Sequence, residues 1–315
     1  MAQTKTSITQ STASLSSTGS DGCGTGIVFD EYDERPFLKD LLVENSSAIA
    51  TVKNAVQSHP LYEPSRYDDI WILRFVLSHK KDTDASSRAA IATMEFRKEH
   101  NLNEKDLRGL IKHFDGAPFA TAGYGLPYGD KMDLCAGENA VVFAMPDENR
   151  GLIQYVFLSK MDMNKINETM THDDLKKEMM YTNESLYQVL DGITRKTGRL
   201  TKIMKFVDFD GMSLKRMSRG YLSMDAAVSK ELENFFPQML AGLLVIHAPK
   251  WINGIWKFVR PLMPKRVVEK VDFLPSNREK IQKSLARFVS KKNLLEQYGG
   301  ENEEWPIPYL GSYFR

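Results

Sequence analysis

What this chain has little of sets the first limits. Cysteine occurs twice in 315 residues, at Cys23 and Cys135. Two thiols build neither a disulfide framework nor a four-ligand zinc site, which points to a reducing compartment. The six histidines are scattered without metal-ligand spacing, so no metal is expected. Long apolar runs are missing as well. The longest, Met239 to Ile246 with one glycine inside it, has eight residues, against about 18 or more for a spanning helix. Excess charge is also missing, because 42 basic and 41 acidic residues leave +1. No bulk field therefore draws the chain onto nucleic acid or an anionic membrane. G-x-S-x-G, P-loop and H-E-x-x-H motifs do not occur.

What is present is the composition of a globular protein, 42% apolar and 26% charged. The length suits one large domain or two small ones with a tail. Eleven of the first 20 residues are Ser or Thr, and Lys5 is the single charge among them. Residues 1–29 are expected to be a disordered tail, since they cannot offset their own ordering entropy. They lack the arginines of a transit peptide. Gly22, Gly24 and Gly26 follow no strand and read as linker.

Residues 30–115 read as a helical lobe. Phe37-Leu38, Leu41-Leu42, Ile49, Val52 and Val56 recur at helical spacing until His59-Pro60. Ile70 to Leu77 forms a second helix, and Asp84 is the expected N-cap of a third through Met94, Phe96 and Arg97. A glycine- and proline-rich stretch from Gly116 to Gly137 marks a boundary.

Residues 116–315 change character. Strands are expected over Ala140–Met145, Leu152–Leu158, Lys202–Phe209, Leu243–His247 and Val271–Leu274. Helices are expected over His172–Lys196, Leu214–Phe236, Lys250–Arg260 and Asn277–Val289. Strands separated by helices imply an α/β fold with a mostly parallel sheet covered on both faces. Lys205 alternates with Ile203 and Val207 and should share their buried side. It reads either as a lysine snorkelling from a strand end or as a pocket cation facing an anionic headgroup.

The stretch after Ile246 has the most distinctive pattern. At 100° per residue, Trp251, Ile252, Ile255, Trp256, Phe258 and Val259 fall in one arc of about 160°. Lys250, Asn253, Lys257 and Arg260 lie opposite, and Pro261 ends the helix. Residues 250–270 carry six positive charges against Glu269. Such a helix either packs on a core or lies in a membrane interface.

FFPQMLAGLLVIHAPKWINGIWKFVRPLMPKRVVEKVDFL (235–274) resembles the C-terminal signature of the CRAL-TRIO lipid-binding family. It includes Pro237, the Ala248-Pro249 pair, Pro261 and Lys270. LLEQYGG (294–300) resembles the family's terminal Gly-Gly motif. ILRFVLSHKKDTDAS (72–86) resembles its N-terminal helical signature, with Arg74-Phe75 at the centre. IMKFVDFDG (203–211) resembles its strand followed by Asp-x-x-Gly, at Asp208 and Gly211. The resemblance spans roughly residues 36 to 300, in the same order.

It implies a helical N-terminal lobe beside an α/β/α bowl with an apolar pocket, covered by a mobile gate helix at Lys250–Arg260. It implies a carrier of hydrophobic lipid that meets membranes transiently from the cytoplasm, with no catalysis, no nucleic acid and no cofactor beyond the bound lipid. Around the headgroup the sequence departs from the family. Phosphatidylinositol-binding members carry arginine, glutamate and threonine where this chain has His79, Gln238 and Val267, and Lys270 alone matches. The hydroxyl pair of phosphatidylcholine binders falls on Ile203 and Lys205. The expected ligand therefore bears one anionic group or none.

A second resemblance competes. Asp208-Phe209-Asp210-Gly211 resembles the D-x-D-G start of haloacid-dehalogenase-type phosphatases, in which the aspartates are nucleophile and general acid beside magnesium. That motif opens its domain, whereas about 200 residues precede it here, and no later acidic pair follows a strand.

Overall fold

Asp68 and Asp82 decide where two of the front helices begin. Asp68 Oδ1 accepts the Trp71 backbone N–H at 3.0 Å, and Asp82 Oδ1 accepts that of Ala85 at 2.9 Å. Each satisfies a donor that the first helical turn leaves without a partner. The expected cap Asp84 sits instead inside the first turn. Lys80 and Lys81 take positive φ, 52° and 68°, so the chain reverses early enough for Asp82 to hold the cap. The helices of this lobe are α1 (Leu38–Glu44), α2 (Ser46–Val56), α3 (Asp69–Ser78) and α4 (Thr83–Glu99).

The computed structural model describes residues 34–107, 130–137, 140–144, 149–274 and 276–303. The expected tail over 1–29, Cys23, most of the glycine-rich boundary and Met145 lie outside the described residues.

Beyond α5 (Asp130–Asp133), a five-stranded sheet runs in chain order: β1 (Val141–Ala144), β2 (Leu152–Phe157), β3 (Ile203–Asp208), β4 (Leu240–Ile246) and β5 (Val271–Phe273). The β1–β2 pair is antiparallel, and every later pair is parallel. Each parallel step needs a crossover. These are α6 (Met163–Thr169) with α7 (His172–Thr197), then α8 (Arg219–Leu232), then α9 (Ile252–Val259) with α10 (Lys265–Val268). Right-handed crossovers that all advance in one direction place their helices on one face.

Alternation along the strands divides the core accordingly. Val141, Leu152, Ile203, Val245 and Val271 pack with α7, α8, α9 and the front lobe. Val142, Ile153, Met204, Phe206 and Ile246 pack with α11 (Arg278–Leu285) and the chain from Phe288 to Tyr298. The result is the expected α/β architecture with a helical front lobe. Lobe and body are joined by buried polar contacts. Arg97 meets Glu184 of α7 through both terminal nitrogens, at 2.7 and 2.8 Å, and the wholly buried Arg74 donates to Thr194 Oγ1 at 3.1 Å.

Several boundaries differ from expectation. The Leu214–Phe236 segment splits into a 3-10 turn (Leu214–Arg216) and α8, whose start is fixed by Ser218 accepting from the Tyr221 N–H. The expected Leu243–His247 strand begins earlier, at Leu240, and stops at Ile246. His247 takes φ 52°, which breaks the extended run. The short helix α6 was not anticipated from periodicity, and it is capped by Asp162.

Candidate functional site

Strand alternation builds the floor of the site. Lys205 stands in the middle of β3, the central strand, on the same side as Ile203 and Val207. In register beside it lie Gln154 of β2 and Leu243 of β4. Neighbouring strands are about 4.8 Å apart, so Gln154 and Lys205 form one polar patch on an otherwise apolar surface. Gln154 is 8% exposed. Among the described residues neither the Lys205 ammonium nor the Gln154 amide has a hydrogen-bond or ion-pair partner.

The roof above this patch is α8. Tyr221 and Asp225 are four residues apart and share a helix face. Burial pushes the Asp225 carboxyl up, against the opposing pull of Lys205 and a hydrogen bond with Tyr221. Burial likewise depresses the Lys205 ammonium, with Asp225 as the charge that opposes the shift. Tyr221 is raised by burial and by the carboxylates Asp225 and Glu178. Yet Lys205, Val207, Leu243, Tyr221 and Asp225 all keep accessible surface. These groups lie between the sheet and α8 without being fully packed by the described side chains.

Helix α9 lies across the β5 side of this surface. Ile252 is buried, and Ile255 and Trp256 pack on the same core. Trp256 meets Phe273 of β5 edge to face, and Trp251 meets Phe209 just past β3 at 5.8 Å. Trp251 occupies the cap position rather than the helix proper. Phe258 lies under the Arg219 guanidinium at 5.6 Å, and Val259 is half-buried. Lys250, Asn253, Lys257 and Arg260 are exposed on the outer side. Pro261 and Leu262 form an exposed apolar tip beyond the helix.

The residues expected around a headgroup gather at another place, where α3 ends and β4 begins. His79 caps α3. Gln238 takes φ 61°, and its amide donates to Ser78 Oγ at 3.1 Å. Lys270 donates to the Leu240 carbonyl at 2.5 Å and so ties the entry of β5 to that of β4. Val267 is half-buried in α10. Arg266 links the group, because after burial it is the next influence lowering both His79 and Lys270. Its own guanidinium is engaged with the Glu233 carboxylate at 3.1 Å and with Asn234 Oδ1 at 3.0 Å.

Asp208 sits on the opposite side of β3 from Lys205. Its oxygens accept from the Tyr298 hydroxyl at 2.8 Å and the Asp210 backbone N–H at 2.9 Å, and they face His247 Nδ1 at 2.7 Å. Tyr298 is delivered by the C-terminal Gly-Gly pair. Gly299 takes φ 86°, and a Cβ on Gly300 would overlap the Leu294 carbonyl. Asp210, the second aspartate of the phosphatase-like motif, is exposed.

Gln154, Tyr221, Asp225 and Arg266 were not singled out as ligand contacts from the sequence. A signal existed for three of them. Gln154 is a polar residue at an inward strand position, and Tyr221 with Asp225 forms an i,i+4 pair on a crossover helix.

Taken as architecture, this is a mostly parallel sheet whose one face is covered by crossover helices and the front lobe and whose other face is covered by α11 and the C-terminal segment. The CRAL/TRIO domain model matches residues 138–300, more than half of the chain, and the chain belongs to that family. It is similar to the SEC14 cytosolic factor of Kluyveromyces lactis, 24% identical over 243 residues, which cover 76% of this chain and 72% of that protein. The CRAL-TRIO domain-containing protein YKL091C of Saccharomyces cerevisiae is also 24% identical, over 241 residues covering 75% and 71%. The crystal structure of Sfh5 superposes with a TM-score of 0.50 at 11% identity, covering 85% of this chain and 88% of that one, a likeness of fold. No helix among the described residues is long and apolar enough to cross a membrane.

Proposed function

We propose that this protein carries a hydrophobic lipid in the space between the sheet and α8, and that α9 is the gate through which the lipid passes at a membrane surface. The observation that carries the reading is the two-sided character of α9. Its apolar face rests on β5 and the loop after β3, while Lys250, Lys257 and Arg260 stand outward beside the exposed Leu262 tip.

The energetics suit a gate. Exposing lipid to water costs about 0.8 kcal/mol per methylene. A two-chain lipid with roughly 30 methylenes would cost on the order of 20 kcal/mol. A carrier must therefore open while touching the bilayer and close before it leaves. The face that covers bound lipid can instead cover membrane core, and the basic outer side adds attraction to anionic leaflets.

A lipid-sensing scaffold without net transfer uses the same pocket and gate. Vesicle-to-vesicle transfer separates the two: a carrier moves labelled lipid from donor to acceptor vesicles, whereas a scaffold takes it up and retains it. The phosphatase alternative fits the geometry poorly. Asp208 is buried, and its oxygens already accept from Tyr298 and Asp210 and face His247, which leaves no free oxygen for attack.

A further inference from the structure

We propose that Lys205, with Gln154 beside it, is the binding site for a single anionic oxyacid head, carboxylate or phosphate, of a lipid that enters head first toward the centre of the sheet. This rests on the carrier reading and adds the class and orientation of the cargo.

A lysine at the middle of a central strand cannot reach a sheet edge, because the sheet continues on both sides. Among the described residues nothing accepts from it. Asp225 offsets the buried charge only in part, since burial still depresses the ammonium, so the position detracts from the stability of the empty protein. The missing partner has a definite chemistry. Asp225 already has the Tyr221 hydroxyl, while among the described residues Lys205 has no acceptor within hydrogen-bond reach, so the group that fits beside it is an acceptor with negative charge. Gln154, one strand spacing away, offers two N–H donors of its own, which can hold a second oxygen of the same head.

A neutral hydroxyl would satisfy one hydrogen bond and add no charge to the partial compensation that Asp225 supplies. Asp225 opposes an anion only while it is ionised. Burial pushes that carboxyl up, against the pull of Lys205 and Tyr221, which weakens its opposition to an anion. The rest of the surface, with Ile203, Val207 and Leu243 on the floor and Met224 on α8, is apolar and suits the chain. The headgroup cluster at His79 and Lys270 is less suited to an anion, because Lys270 and Arg266 are engaged with protein acceptors.

The test compares two matched pairs of probes on the purified full-length protein after delipidation. Oleic acid is set against oleyl alcohol, and dioleoyl phosphatidic acid against dioleoylglycerol. In at least one pair the acid should bind about tenfold or more tighter than its neutral partner; the pair that shows the preference identifies the head as carboxylate or phosphate. K205M removes the charge on a side chain only one atom shorter and should bring that ratio near one while neutral binding persists. Q154L should reduce it severalfold. Neutral lipids bound as tightly as acids, or a preference that survives in K205M, would overturn the inference and leave the carrier reading intact. Uptake of none of the four probes would defeat both.

Discussion

Trp256 of α9 and Phe273 of β5 meet edge to face with ring centroids 5.2 Å apart. This contact holds the amphipathic helix against the end of the sheet, and an aromatic pair of this kind contributes about 0.5–1.5 kcal/mol beyond its buried area. If α9 is the gate proposed above, such a contact is strong enough to hold it closed and weak enough to exchange for membrane.

W256D places a charge in that face and should loosen α9 while the sheet and front lobe remain folded. Liposome binding should fall several-fold, with the far-ultraviolet circular dichroism unchanged. K257E with R260E should weaken binding on anionic vesicles mainly, and most at low salt, since exposed charges are screened beyond about 10 Å at 0.1 M. Global unfolding by W256D, together with indifference to the basic residues, would make α9 ordinary core.

Lys205 and Asp225 should reduce stability in the ligand-free protein at neutral pH. Asp225 is raised in the folded state, so its favourable contribution is full below the unfolded value near 3.8 and is lost as pH rises through the folded value. Lys205 is lowered, so its contribution is full above 10.5 and lost as pH falls through its folded value. D225N should therefore raise the melting temperature at pH 7.5 and lose that advantage toward pH 4. K205M should raise it at pH 7.5 and lose the advantage toward alkaline pH. Thermal scans across pH, on delipidated protein, check both directions.

Much of this frame was legible in the sequence, because period and capping are local. The 26-residue helix α7 announces itself through Thr171 and Asp174, which form a reciprocal capping box, and through its apolar stripe. The alternation Ile203, Lys205, Val207 already placed a lysine inward. The charge environment of Lys205 was not legible, because Asp225 reaches it only after the crossover between β3 and β4 brings α8 over the sheet. The Lys270 contact was hidden for the same reason: its acceptor is a backbone carbonyl 30 residues away. Asp82 displaced Asp84 as a cap because two residues adopted positive φ, a choice that local composition does not specify.

Lys270 thus separates two accounts of the headgroup. Its ammonium is bonded to the Leu240 carbonyl, and hydrogen bonds of charged groups contribute about 1.5–3 kcal/mol. K270A should lower the unfolding midpoint accordingly and leave the ranking of bound lipids unchanged. Phosphatidylinositol should compete no better than lipids with simpler heads. A loss confined to anionic lipids in K270A, or strong selective uptake of phosphatidylinositol, would move the headgroup to the His79–Lys270 cluster.

The Asp208 network should behave as a clamp on the C-terminal segment. Y298F removes one donor from a buried carboxylate and should cost about 1.5–3 kcal/mol in denaturant unfolding. Magnesium-dependent hydrolysis of p-nitrophenyl phosphate should stay at the buffer rate. Turnover that disappears in D208N would revive the phosphatase reading.

The carrier account is tested most directly by mass spectrometry of the organic extract from protein purified under native conditions. The account predicts a hydrophobic lipid close to one molecule per chain, replaced by an added lipid when the protein is incubated with vesicles and much less readily replaced in W256D. An extract without lipid, from protein that also takes up none from vesicles, would contradict it.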